Sequence, residues 1–319
     1  MHRRFSQESN LKIGIVGAGS YGTALAQCLG IGKNEILLVS KTKDVAHEIN
    51  QQHTNEKALP SVELSPKIRC GTDCQQLADM DIVFIAVPAQ NVLEVCLQID
   101  ALGRPLVICS KGLDPKTGDP LSKTLDINIS SDFVFLSGPS FAIEIAKGVK
   151  AVVNISGKNG DLAREISYGL SSEQFEIKPT GDYIGLQIFG VFKNILAVGC
   201  GILDGLQAGS SCTAKLITRG IQEIITLTEK MGGNRDTFFE VGGIGDIFLT
   251  CTSEKSRNIA FGKFCACDDP RKWQGALAEG ALSVKWIPHL EEKYRLQMPF
   301  FRKIYSIVYE NLPPKEIMA

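Results

Sequence analysis

The run from Leu11 to Leu29 leaves few folds open to this chain. Leu11-Lys12-Ile13-Gly14-Ile15-Val16 is a short, β-branched apolar run. Gly17-Ala18-Gly19-Ser20-Tyr21-Gly22 follows with three spaced glycines, and Thr23-Ala24-Leu25-Ala26-Gln27-Cys28-Leu29 forms helix readily. Strand, G-x-G-x-x-G and helix in that order are the context that a dinucleotide-binding turn requires. The first glycine makes the turn, the second lets the backbone approach a pyrophosphate, and the third packs helix on strand. The helix N-terminus then faces the anion. The plain alternative is a tight strand-to-helix turn that holds no ligand.

The alternation continues for half the chain. Residues 35–40, 81–88, 105–110 and 132–137 read as near-continuous apolar strands, with helices at 45–51 and 91–99 between them. That pattern predicts an α/β domain, a Rossmann-like doubly wound sheet covered on both faces. Ligands of such sheets bind beyond the carboxyl ends of the strands, where Lys111 and the stretch Ser137-Gly138-Pro139-Ser140-Phe141-Ala142 fall. Ser140 is expected to cap the helix that begins there. After the second strand come Ser40-Lys41-Thr42-Lys43, with no acid before Asp44. A hydroxyl and two lysines suit a 2′-phosphate, so the sequence leans towards NADP and leaves NAD open. The other reading leaves Lys41 and Lys43 as solvated loop charges.

Strand signals stop near residue 180, which divides a domain at 11–180 from an all-α domain at 181–319. Helices are expected at 214–231, 258–264, 282–294 and 300–311. The opening stretch, 182–199, is almost wholly apolar yet carries Lys193 and Asn194 at its middle. A buried ammonium without a partner costs several kcal/mol or loses its proton. A central charge also argues against a membrane span. Two readings stand open: a lysine that snorkels to water, and one with a ligand or a catalytic task. Further on, Val241-Gly242-Gly243-Ile244-Gly245-Asp246 is glycine-rich up to one aspartate, expected to cap a helical turn and stay ionised. Arg257, in Ser256-Arg257-Asn258, is a candidate for bidentate phosphate binding. Taken singly, each reads more readily as structural.

The remaining composition narrows the class. Lys plus Arg number 34 and Asp plus Glu 35, so no nucleic-acid surface or acidic tail is implied. Ten scattered cysteines, mostly in apolar runs, fit reduced core thiols, and no His or Cys set has zinc spacing. The polar stretch 1–10 lacks the apolar run of a signal peptide and reads as a leader. A soluble, cytoplasmic protein is the expectation. None of His2, His47, His53 or His289 is placed as a general base. A hydride transfer at an alcohol carbon would then need a lysine for the proton, and burial of Lys193 would bring its pKa down towards neutrality.

Taken together, the motifs resemble one family. Gly17 to Ala26, Ser110-Lys111-Gly112, Ser137 to Ala142, Lys193-Asn194, Ile217-Thr218-Arg219-Gly220, Gly245-Asp246, Leu249-Thr250-Cys251-Thr252-Ser253 and Ser256-Arg257-Asn258 fall in the order, and near the spacing, of NAD(P)-dependent glycerol-3-phosphate dehydrogenase of the bacterial type. The resemblance covers almost the whole chain. It implies reversible reduction of dihydroxyacetone phosphate to sn-glycerol 3-phosphate for phospholipid synthesis, with NAD or NADP as cofactor and NADPH favoured. It also implies a small phosphorylated substrate, no nucleic acid, no metal, no transmembrane segment and a possible homodimer.

Residue by residue, the resemblance implies that Gly17, Gly19, Ser20, Tyr21, Gly22 and Lys41 contact the nucleotide, with Ala142 by the nicotinamide. Lys111 touches cofactor and substrate. Gly138, Ser140, Asn194, Thr250, Ser256, Arg257 and Asn258 meet the substrate, and Arg257, Leu277 and Glu279 complete the cofactor site. Lys193 donates and accepts the proton and Asp246 orients it, so Lys193, Lys111 and Asp246 are expected to converge.

The chain departs from the family pattern at Gly209-Ser210-Ser211-Cys212-Thr213-Ala214-Lys215-Leu216, which lacks the usual Asn and Arg and sets Lys215 in a normally apolar helix. Ile143 and Val39 also differ, and the sequence stops soon after Pro313-Pro314, short of the usual last helix. None of these departures touches Lys193, Lys111 or Asp246, so activity is expected. The rival readings are another dehydrogenase acting on a β-hydroxy carboxylate, and a dinucleotide-sensing protein that kept the fold.

Overall fold

A computed structural model describes Phe5 and residues 10–318. Apart from Phe5 and Asn10, the leader lies outside the described residues. Phe5 itself is fully buried, and a side chain on Gly169 would begin 2.6 Å from its Cβ. The chain forms two compact units, one taking in the chain up to Ser110 and Leu121–Tyr183, the other Lys111–Pro120 and Ile184–Ala319.

Among the described residues the first unit carries eight strands: β1 (Lys12–Val16), β2 (Glu35–Val39), β3 (Ile68–Gly71), β4 (Ile82–Ile85), β5 (Leu106–Ile108), β6 (Phe133–Ser137), β7 (Ala151–Ser156) and β8 (Phe175–Pro179). They lie in the order β3-β2-β1-β4-β5-β6-β7-β8. Every neighbouring pair is parallel except β6 and β7. The helices are α1 (Ser20–Gly30), α2 (Lys43–Gln52), α3 (Val92–Ile99), α4 (Leu121–Asn128), α5 (Ala142–Ala146) and α6 (Gly160–Leu170). Alternating strands and helices with fully buried residues such as Ile13, Ile15, Leu38 and Phe84 make this the doubly wound sheet that the sequence predicts.

Three strands escape a reading based on apolar runs. β3 is a short edge strand with only Ile68 and Cys70 buried, and Asn50 seals its outer side by bonding both the N–H and the C=O of Cys70, at 2.9 and 2.8 Å. β7 buries Asn154 and Ser156, which are tolerated because Asn154 donates to the carbonyl of Lys178 and Ser156 to that of Thr180. β8 alternates Phe175 and Ile177 inward with Glu176 and Lys178 outward.

The second unit contains α7 (Tyr183–Gly205), α8 (Ser210–Lys230), α9 (Asp246–Thr252), α10 (Arg257–Cys267), α11 (Glu279–Ser283), α12 (Ile287–Tyr294) and α13 (Pro299–Tyr309). α7 is long and apolar enough to cross a membrane, but the whole of its apolar window is buried among the other helices. Its close contact with α10 depends on absent side chains. A Cβ on Gly201 would stand 2.3 Å from the carbonyl of Ile259, and one on Gly262 would stand 2.1 Å from that of Val198. Backbone meets backbone there, which brings the first half of α10, Ile259 to Gly262, against the C-terminal third of α7 around Val198 and Gly201. The departures at α8 stay clear of this crossing: Lys215 is exposed.

Candidate active site

In the sheet unit, the ends of β1, β2 and β4 are level, with Val16 opposite Val39 and Ile85. The glycine turn leaves from that edge. Gly17 adopts φ +112°, and a Cβ there would stand 2.6 Å from the carbonyl of Ala86. A Cβ on Gly22 would stand 1.9 Å from the carbonyl of Gly17, so helix and turn touch at backbone distance. Gly19 differs, because nothing lies within 4 Å of where its Cβ would be. It precedes α1 with no side chain capping the helix. An open glycine at an uncapped helix N-terminus is the cradle that a pyrophosphate needs.

The surroundings brace that cradle. Ser20 donates to the carbonyl of Ala58, and Tyr21 shares a hydrogen bond with Ser140 at 3.1 Å. Ser140 does not cap α5, as its sequence position suggested. Phe141 occupies the cap position without a side-chain bond, and Ser140 Oγ donates to the carbonyl of Gly138 instead. Ala142 opens α5, while Lys41 is exposed beyond β2. Asn55 has no sequence signal and sits in a polar loop, yet it is buried. Its Nδ2 donates to the carbonyl of Ala18 at 3.0 Å and to Thr23 Oγ1 at 2.9 Å, tying both sides of the turn.

The helical unit brings Lys111, Lys193 and Asp246 together. Lys193, at 5% exposure, donates to Asp246 Oδ1, and Lys111 lies 3.4 Å from Oδ2 of the same carboxylate. Burial lowers the Lys193 ammonium from its ordinary value to about 7, with Lys111 adding to the effect and Asp246 opposing it. Asp246 goes the other way. Burial alone would raise it, but the two lysines hold it below the usual carboxylate value.

Asp246 reaches this position by a route other than the expected cap. Residues Val241–Gly245 form one π-helical turn that runs straight into α9, and both Gly245 and Asp246 are helical. A Cβ on Gly243 would stand 2.3 Å from the carbonyl of Thr237, so the turn needs a glycine at that position. The carboxylate faces the lysines rather than the backbone of its own helix, and Thr250, one turn on, donates to it at 3.4 Å.

A second chain of contacts runs beside the first. Asn258, in the first turn of α10, donates from Nδ2 to Asn194 Oδ1 at 2.9 Å and accepts from the N–H of Gly280 at 2.9 Å. Asn194 in turn donates to Glu279 Oε2 at 3.5 Å. Glu279 is half-buried, and burial raises its pKa although Lys111, Arg257 and Lys193 pull it down. Ser256 caps α10 by accepting from the N–H of Ile259, leaving Arg257 exposed at the first helical position. Leu277 is also exposed, just before α11. Among the described residues, no group of three or more His, Cys, Asp or Glu side chains is gathered as a metal site.

A doubly wound sheet with a glycine-rich first turn, followed by a helical unit that buries a lysine on an aspartate, defines a two-domain nicotinamide-dependent dehydrogenase. Comparisons with known proteins narrow the class. Residues 12–163 match the N-terminal model of NAD-dependent glycerol-3-phosphate dehydrogenase, and residues 182–319 match the C-terminal one. A glycerol-3-phosphate dehydrogenase [NAD(P)+] of Bacillus subtilis is 36% identical over 312 residues, 94% of this chain and 90% of the relative. One from Thermotoga sp. is 34% identical over 95% of this chain and 94% of its own. The crystal structure of the Coxiella burnetii glycerol-3-phosphate dehydrogenase has a TM-score of 0.91 at 30% identity, covering 97% of this chain and 98% of that one. The chain belongs to the NAD-dependent glycerol-3-phosphate dehydrogenase family.

Proposed function

We propose that the protein catalyses the reversible, NAD(P)-dependent reduction of dihydroxyacetone phosphate to sn-glycerol 3-phosphate. The observation that carries this reading is the buried pairing of Lys193 with Asp246, with Lys111 on the other oxygen of the same carboxylate. Residues 11–180 would hold the nucleotide, with Gly17, Gly19, Ser20, Tyr21 and Gly22 at the pyrophosphate, Lys41 at the adenosine ribose and Ala142 towards the nicotinamide. Residues 181–319 would supply the proton chemistry and the phosphate grip. NADPH is the favoured cofactor. The product would feed glycerophospholipid synthesis in the cytoplasm, and the working form would be a monomer or a homodimer.

Held at Gly17, Gly19 and the N-terminus of α1, a reduced nicotinamide cofactor would supply the hydride for the carbonyl carbon. The chain's own task is to handle the charge that then grows on the carbonyl oxygen. Lys193 would donate its proton there, and a lysine whose pKa lies near the working pH is suited to give a proton in one direction and take it in the other. Lys111 would add positive charge beside that oxygen, and Asp246 holds both ammonium groups in place. Arg257, at the first position of α10, would grip the phosphate with the helix N-terminus and Asn258 beside it. Gly138, Ser140, Asn194, Thr250 and Ser256 would make the remaining substrate contacts, and Leu277 and Glu279 would complete the cofactor site.

The test is oxidation of NADPH by purified protein with dihydroxyacetone phosphate, alongside Lys193→Ala. Turnover in the wild type and its loss in the variant support the reading; absence of turnover, or a variant as active as wild type, overturns it. Comparing kcat/KM for NADH and NADPH, in wild type and in Lys41→Asp, tests the ribose assignment. An equal preference in both proteins would remove it.

A further inference from the structure

Residues Lys111–Pro120 lie in sequence between two strands of the sheet, yet they belong to the helical unit. They fold into a closed hairpin. Leu113 bridges Pro120 in antiparallel fashion, the N–H of Asp114 donates to the carbonyl of Asp119 at 2.8 Å, and that of Gly118 donates to the carbonyl of Asp114 at 3.0 Å. Asp114, only 3% exposed, ties the turn by accepting from the N–H groups of Lys116 and Thr117. Lys111 stands at the open end of this hairpin, two residues before Leu113.

The hairpin is fastened to the helical unit at three points. Leu113 is part of its apolar core. Gly118, at φ +68°, faces Trp286 so closely that a Cβ would stand 2.6 Å from the ring and 3.2 Å from His289. Asp119 is gripped at the end of α12, where its Oδ1 takes Lys293 Nζ at 2.8 Å and the Tyr294 hydroxyl at 3.2 Å. The Asp119 side chain is 15% exposed, so this is a partly sheltered pair rather than a solvated one.

Such fastening matters because of what Lys111 is. A lysine side chain is long and rich in rotamers, and it makes point-charge contacts without fixed geometry. Its contact with Asp246 at 3.4 Å is already long, so its backbone must be held for that contact to persist. We propose that Asp119 is a positioning residue of the active site: gripped by Lys293 and Tyr294, it fixes the hairpin and so sets Lys111 on Asp246 beside Lys193. This rests on the proposed roles of Lys111 and Lys193.

The consequence is electrostatic as well as steric. The groups acting on Lys193 are Asp246 on α9, Lys111 on the hairpin, Glu279 on α11 and Cys251 on α9. Lys111 is the cation in that set that pushes the Lys193 proton off. Releasing the hairpin would therefore let Lys193 keep its proton to higher pH. A residue that only stabilised the fold would lower the melting temperature without moving that titration.

The experiment compares wild type, Asp119→Ala, Asp119→Asn, Lys111→Ala and the Asp119→Ala/Lys111→Ala double variant. Each is assayed for kcat/KM of dihydroxyacetone phosphate reduction against pH and for cofactor Kd by nicotinamide fluorescence. Asp119→Ala should lower kcat/KM by about tenfold, the scale of a small misplacement of a reacting group. Its alkaline limb should move to higher pH, with any rise in cofactor Kd no larger than that in Lys111→Ala. Asp119→Asn keeps an acceptor oxygen and should recover most of the rate. In the Lys111→Ala background, Asp119→Ala should add nothing. An unmoved limb, or the same rate loss with and without Lys111, overturns the proposal. Tyr294→Phe removes one donor only and carries the same test if Asp119→Ala does not fold. A wild type without turnover, or Lys111→Ala as active as wild type, overturns the reading of the site itself. Turnover that depends on Lys111 but ignores Asp119 overturns the clasp alone.

Discussion

Lys193 donates to Asp246 across 53 positions of sequence, and the lysine ends at a carboxylate that already serves a second lysine. Two ammonium groups on one carboxylate leave a surplus positive charge in a site where Lys193 is 5% and Asp246 1% exposed. An unbalanced buried charge is relieved most readily by loss of a proton. Lys193 is the more deeply buried of the two lysines, so it yields first. The fold thus builds a group that gives up its proton near neutrality without a histidine.

The pH dependence of the two directions should therefore be opposite. Below about 7 Lys193 is protonated and can serve as the acid for ketone reduction; above it the neutral amine can serve as the base for alcohol oxidation. Plots of log kcat/KM against pH should show reduction falling, and oxidation rising, through the same region. In Lys111→Ala one of the causes that lowers Lys193 is gone, so both limbs should move to higher pH. Limbs that stay in place would dissociate Lys111 from the titration.

Asp246→Asn removes the counter-charge of both lysines while keeping the shape. Lys193 should then lose its proton at still lower pH, and ketone reduction near neutrality should fall by about 100-fold or more, the scale of general-acid catalysis. Stability should respond with a defined sign. Asp246 has a lowered pKa in the folded protein, so its ionised form contributes stability above the unfolded carboxylate range and loses it as pH falls through the folded value. Melting temperatures on the acid side should consequently slope less in Asp246→Asn than in wild type. An unchanged acid slope would show that the pair contributes nothing to folding.

The glycine turn separates a structural from a binding effect. Gly19→Ala meets no atom within 4 Å, so the variant should fold with an unchanged melting temperature. Its methyl group would nevertheless occupy the space a pyrophosphate needs, and cofactor Kd should rise by about tenfold or more. Gly22→Ala would drive a methyl to 1.9 Å from the carbonyl of Gly17 and should lose stability as well as binding. Equal cofactor affinity in Gly19→Ala and wild type would count against a nucleotide at this turn.

What could be read in advance follows from how each feature writes itself into a linear sequence. Buried parallel strands such as β4 and β5 are runs of apolar residues and announce themselves. β7 does not, since Asn154 and Ser156 are buried by means of partners on and beyond β8. Lys193 was legible as a contradiction, a charge inside an apolar helix. Its partner was legible only as a glycine-marked aspartate, and the expected cap proved to be a continuous π-to-α helical run. Ser140 likewise had the residue type of a cap and the contacts of something else. The membership of the 111–120 hairpin in the helical unit and the brace made by Asn55 left no trace, because both depend on partners that only the folded chain supplies.

Gly280 offers the last test, at the contacts beside the lysine. Its N–H donates to Asn258, which donates to Asn194, and a Cβ on Gly280 would stand 2.4 Å from the Asn194 carbonyl and 3.0 Å from Asn258 Oδ1. Gly280→Ala must therefore push α11 away or break the link. Overpacking of this kind costs about 1–3 kcal/mol, which a melting curve would register. Asn194 would lose the partner that orients its amide, so KM for dihydroxyacetone phosphate should rise by about tenfold, the scale of one buried hydrogen bond to substrate. Lys193, Lys111 and Asp246 lie outside this link, and Glu279 beside Gly280 is the charge near Lys193 that would shift with α11, so the alkaline limb should move less than it does in Lys111→Ala. A variant with raised KM and a limb that moves less than in Lys111→Ala would place Asn194 and Asn258 in substrate binding and leave proton transfer to the lysine pair, whereas an unchanged KM would remove them from the substrate site.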